Sequence, residues 1–195
     1  MLYWIIPLML GIGISSATGI RVFLPFFLIS LCKYFDLLSF GSHFEWLGGE
    51  VVLIILGIAT IVEIVGYYIP LVDHILDIAA APLAFAAGIV SMSSVMPDMP
   101  VYFDNILSII IGGGTSLSMN GIMGLWRVKT TASSFGIANP VFSTAENLLS
   151  ITFTVLAFLI PVVFGVVICL IVILSFRFVR KLFRKKKRVI AVRPR

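Results

Sequence analysis

Gly11-Ile-Gly-Ile-Ser-Ser-Ala-Thr-Gly-Ile-Arg21 and Gly112-Gly-Gly-Thr-Ser-Leu-Ser-Met-Asn-Gly121 are polar, glycine-bearing interruptions inside stretches apolar enough to lie in lipid. Backbone that departs from regular helix at membrane depth survives only where protein or a watery cavity satisfies its N–H and C=O groups. The two stretches therefore point to a protein-lined interior, and with it to a membrane bundle.

The surrounding chain agrees. Its 195 residues are 60% hydrophobic and only 12% charged, with a mean hydropathy of +1.15, well outside soluble composition. The apolar runs are continuous rather than alternating, which predicts helices and not a barrel. About six spans fit ~30 Å of hydrocarbon at ~1.5 Å per residue, within residues 2–35, 51–69, 75–96, 106–126, 141–159 and 162–179. One helix over residues 141–179 would measure roughly 58 Å, so Pro161 is predicted to open a new one. Residues 2–35 would measure about 51 Å, which requires a break near Ser15 to Arg21 or an overhanging end. The expected fold is all-α, a polytopic transmembrane helix bundle forming one domain over residues 1–180, followed by a basic tail at residues 181–195.

The net charge of +5 belongs to the C-terminus, where ten of the fourteen Lys and Arg residues lie from Arg177 onward. A basic run directly after a span marks the cytoplasmic side and suits anionic lipid head groups better than nucleic acid. With the tail inside, six spans also put Arg127 and Lys129 inside, whereas five would put them outside. Cys32 and Cys169 form no disulfide framework and no metal-ligand spacing. Metal and cofactor are expected to be absent. With only two histidines and no visible nucleophile arrangement, an enzyme is not expected either.

Aligning Gly11 with Gly112 places Gly13 on Gly114 and Ser15 on Ser116, each set in the first span of its half. Three spans per half would make the halves inverted copies, with interrupted first and fourth spans, the pattern that flags a transporter site at the repeat interface. Simple packing is the competing explanation. Gly11, Ser15 and Gly19, like Gly112, Ser116 and Asn120, recur every four residues, which lets membrane helices approach closely.

Ionisable residues inside spans normally face the interior and find partners. Glu63 is the expected partner of Arg21, as a structural pair or a functional one. Asp73 and Asp77 stand one turn apart after Pro70 and repel when both are ionised. Water at the head-group level, a proton, a cation or a basic neighbour would relieve them. Asn139-Pro140 reads as a helix start with Glu146 early in the next turns, and its free N–H groups suit an anion or a carboxylate. The candidate pathway or ion site therefore comprises Ser15, Ser16, Thr18, Arg21, Glu63, Asp73, Asp77, Ser116, Asn120, Asn139 and Glu146.

Three blocks carry a resemblance: Gly11 through Pro25; Glu63 through Pro70-Leu-Val-Asp73-His-Ile-Leu-Asp77; and Gly136-Ile-Ala-Asn139-Pro140 with Ser143 and Glu146. With them the chain resembles a bacterial membrane family catalogued as domain of unknown function 4126. Relatives tend to carry Arg before the proline at Pro82 and Asp after Glu146, where this chain has Ala81 and Asn147. The resemblance implies a polytopic bacterial membrane protein and supplies no activity. The expected location is the inner membrane, with the C-terminus cytoplasmic. Two functions remain in view. One is a small transporter or channel for a small solute or ion, possessing acidic residues that handle a proton or cation and open to homo-oligomer formation. The other is a non-transporting scaffold or lipid-binding protein.

Overall fold

The computed structural model describes residues 2–37, 42–97, 100–134 and 139–191. Its helices in chain order are α1 (Leu2–Ile20), α2 (Phe23–Tyr34), a short 3-10 turn (Ser42–Gly48), α3 (Glu50–Gly66), α4 (Pro70–Ser93) and α5 (Val101–Leu107), which runs through a π-helical segment (Ser108–Gly113) into α6 (Gly114–Ser134); α7 (Asn139–Leu159) and α8 (Pro161–Ala191) follow. The result is a helical bundle, as composition predicts. Four helices are long and apolar enough to cross a membrane, at Ile75–Ser93, Val101–Thr130, Asn139–Leu159 and Pro161–Phe178, and Trp4–Ile20 and Phe23–Tyr34 are shorter apolar helices. Residues 135–138, just ahead of the expected helix start at Asn139-Pro140, and the tail end at residues 192–195 lie outside the described residues.

α1 is the axis of the bundle. Every residue from 11 to 22 is buried, against α4, α6, α7 and α8. Its polar residues sit there without cost to the helix because each hydroxyl reaches a carbonyl. Ser15 Oγ donates to Gly88 O at 3.1 Å, Ser16 Oγ to Gly13 O at 2.7 Å, and Thr18 Oγ1 to Ser15 O at 3.0 Å. From α6, Ser116 Oγ donates to Ala84 O at 2.6 Å. Glycine makes the approach possible. A methyl group at Gly88 would strike Gly112 O and Ser116 Cβ, and one at Gly19 would strike Ser116 O and Met119 Cβ.

The two quoted stretches are irregular in different ways. The first is regular helix through Ile20 and breaks only at Arg21–Val22, later than Ser15. Pro25 is the reason, since its ring lacks an N–H and excludes the carbonyl four residues back, that of Arg21. The second begins within the π-helical Ser108–Gly113 and is regular from Gly114 onward. Pro161 opens α8 as expected, splitting the long apolar run in two. α8 folds back, because its Val172 to Arg180 face lies beside Leu117 to Leu125 of α6. The basic end of α8 and Arg127 of α6 are thus at the same end of the bundle.

Candidate functional site

Breaking the chain at Arg21–Val22 strands main-chain donors at the start of α2. Glu63 of α3 takes them: Val22 N–H donates to its Oε1 at 2.7 Å and Phe23 N–H to its Oε2 at 3.1 Å. A carboxylate at a helix N-terminus also meets the positive end of the helix dipole. The expected Arg21–Glu63 pair is thereby corrected. Both oxygens of Glu63 are committed to backbone, and the ion-pair partner of Arg21 is Glu146 of α7, with Nη2 to Oε2 at 2.9 Å. Arg21 Nη2 also donates to Ser143 O at 3.3 Å. Arg21 is only 1% exposed, and among the described residues its Nε and Nη1 meet no hydrogen-bond partner.

Glu146 is shared. Its Oε2 also accepts from Nη2 of Arg127, in the C-terminal half of α6. Arg127 Nη1 reaches Asp77 Oδ1 at 2.8 Å and Asp73 Oδ1 at 3.3 Å, so a basic neighbour relieves the two aspartates of α4. Asp73 Oδ2 accepts from Asn139 Nδ2 at 3.1 Å, which ties the start of α7 to α4. Between the guanidinium groups lies Tyr67, its ring centroid 3.9 Å from Arg21 Cζ and 4.2 Å from Arg127 Cζ. The negative face of the ring favours both cations. Two like charges are thus held close by one ring and one carboxylate.

A cavity of ≈ 200 Å³ opens beside this cluster, lined by Ile20, Tyr67, Asp77, Asn120, Arg127 and Glu146 among others. A second, of ≈ 120 Å³ and mostly apolar, lies where Glu63, Val22 and Leu76 meet, and Tyr67 and Ala80 line both. Asp77 is the cluster's most open member, its side chain 41% exposed where that of Glu146 is 2%. Among the described residues no three His, Cys, Asp or Glu side chains gather so as to hold a metal ion.

The candidate residues thus divide. Arg21, Asp73, Asp77, Asn139 and Glu146 belong to one charged cluster, with Glu63 capping the helix beside it. Asn120 lines the cavity. Ser15, Ser16, Thr18 and Ser116 lie further along α1 and α6 in the close-packed seam, where their hydroxyls bond to backbone carbonyls. Two members are not legible as such in the chain: Arg127, which reads as an orientation charge, and Tyr67. Spacing does hold a signal for Arg127, since Ser116, Asn120 and Arg127 lie four and seven residues apart on one helical face.

The chain belongs to the family Domain of unknown function (DUF4126), whose model matches residues 8–181. No curated protein and no solved structure matches it.

Proposed function

We propose that this protein is a small transporter or channel that moves a small solute or ion through the charged cavity, with its acidic residues handling a proton or cation. The cavity carries the reading: a space of ≈ 200 Å³ between helices, of mixed lining, into which Asp77, Asn120, Arg127 and Glu146 bring polar and charged groups. Ionisable residues within membrane helices pair with one another and mark ion pathways and proton relays. Here Glu63, Asp73, Asp77 and Glu146 outnumber Arg21 and Arg127, so full ionisation leaves negative charge that a proton or cation neutralises. The shared Gly-x-x-x-Ser spacing of Gly11 with Ser15 and Gly112 with Ser116 supports two inverted halves, and the basic tail supports a cytoplasmic C-terminus in an inner membrane.

Purified protein in proteoliposomes, loaded with a pH-sensitive dye and subjected to proton and cation gradients, tests this directly. Flux above empty vesicles is expected for the parent. Asp77→Asn should lower it by roughly tenfold or more, in line with about 1.5–3 kcal/mol for a hydrogen bond to a charged group. Absence of flux across the panel of gradients and small solutes would sink the proposal.

One observation favours a second reading, a non-transporting scaffold that also grips anionic lipid through its tail. Arg127 already has three carboxylate partners, so the cluster has the makings of a static joint between α1, α4, α6 and α7. That reading expects no flux before or after Asp77→Asn, and weaker association with anionic vesicles when residues 184–195 are deleted.

A further inference from the structure

On the outside of the bundle, an apolar groove of ≈ 710 Å³ runs between α6 and α8. Leu117, Gly121 and Leu125 line one side and Val172 the other, and Arg177 and Arg180 also line it. Each wall covers eight residue steps, about 12 Å at 1.5 Å per residue. That is close to the ~15 Å depth of one leaflet of a ~30 Å hydrocarbon core. Next after Leu125 along α6, Trp126 is exposed with Lys129 Nζ 5.3 Å from its ring, a pairing that suits the membrane interface.

Gly121 sharpens the point. A Cβ built there meets nothing within 4 Å, whereas one at Gly88 or Gly112 collides with a neighbouring helix. Among the described residues no neighbour accounts for the missing side chain at Gly121, and its absence widens the groove.

We infer that this groove binds one acyl chain of an anionic phospholipid, whose phosphate pairs with Arg177 and Arg180. Charge complementarity selects this occupant. A second copy seated here in the same orientation would bring the arginines of both chains toward one another, a like-charge contact that disfavours pairing. The site is built from α6 and α8 ahead of residues 184–195, and it stands whether or not the protein transports.

The test uses the full chain reconstituted with equal phosphatidylglycerol and phosphatidylcholine, extracted, and subjected to native mass spectrometry. Phosphatidylglycerol should be retained in preference. Arg177→Gln with Arg180→Gln should reduce that preference about thirty-fold, the factor that corresponds to removing two basic residues from a lipid surface. Gly121→Leu, whose Cβ has open space, should lower retention of both lipids without lowering the unfolding temperature. Deletion of residues 184–195 should leave the preference in place. Retention of phosphatidylglycerol by the double variant at the parent's level would overturn the inference. So would a preference lost only with the tail, or disulfide cross-linking of Gly121→Cys chains into dimers in the bilayer.

Discussion

The two ends of the buried stretch from Gly11 to Arg21 lie in opposite surroundings. At Gly11 to Gly19, glycines leave no room for a side chain, Gly19 against the backbone of Ser116 and Gly11 and Gly13 against Met92 and Ala157, and hydroxyls return to nearby carbonyls. At Arg21 to Phe23 the helix is broken, its donors are met by a carboxylate from α3, and four acidic side chains gather with two guanidinium groups beside a cavity. The same motif thus serves packing along most of its length and meets paired charges only where it ends. Small residues let helices close up, which excludes water and solute. A proline-induced break does the reverse, because stranded backbone groups demand polar company.

The sharpest way to break this contrast is Glu146→Ala. It leaves two buried guanidiniums without their shared acceptor, and a loss of about 3–5 kcal/mol is expected in denaturant unfolding of the detergent-solubilised protein. Replacing Arg21 and Glu146 together by Met should recover a large part of that loss, since no unpaired charge remains between them. A mild effect of Glu146→Ala would mean that the cluster is better hydrated than its burial implies. Next in size is Glu63→Leu, which orphans the Val22 and Phe23 donors at a cost of about 2–3 kcal/mol by the same measurement. Full stability in this variant would remove Glu63 from its capping role.

On the seam side, Gly112→Val should cost about 1–3 kcal/mol by overpacking against Gly88 and Met92. In contrast, Gly121→Ala, facing open space, should be neutral or slightly stabilising. The smallest effect belongs to Ser15→Ala, which removes one interhelical hydrogen bond to Gly88 O and should cost about 0.6 kcal/mol, with any flux unchanged. If Ser15→Ala abolished flux while Asp77→Asn did not, the two regions would have exchanged roles.

Much of the architecture is legible in the chain. Hydrophobic run length announces membrane-length helices, and the excess length of residues 2–35 demands a break. Pro161 marks the start of α8. The spacing of Asp73 and Asp77 calls for some relief of their repulsion without specifying its source, and Arg127 supplies it. Partner choice is less legible. Arg21 and Glu63 are near in space, yet the stranded N–H groups of Val22 and Phe23 claim the carboxylate, and a residue on α7 takes the guanidinium. Tyr67 carries no signal at all, since nothing in its neighbours along the chain implies two arginines over its ring.

What the sequence determines by itself is local or one-dimensional: apolar run length, the proline that forbids continuation of a helix, the four-residue spacing that permits close approach, and the excess of acid over base within the spans. These follow from chain geometry and transfer energetics. Only the tertiary structure decides which helices adjoin at the break, and therefore which of several carboxylates each arginine meets. An ion pair is a property of two positions in space, and residues 21, 127 and 146 reach one point only after α1, α6 and α7 have packed.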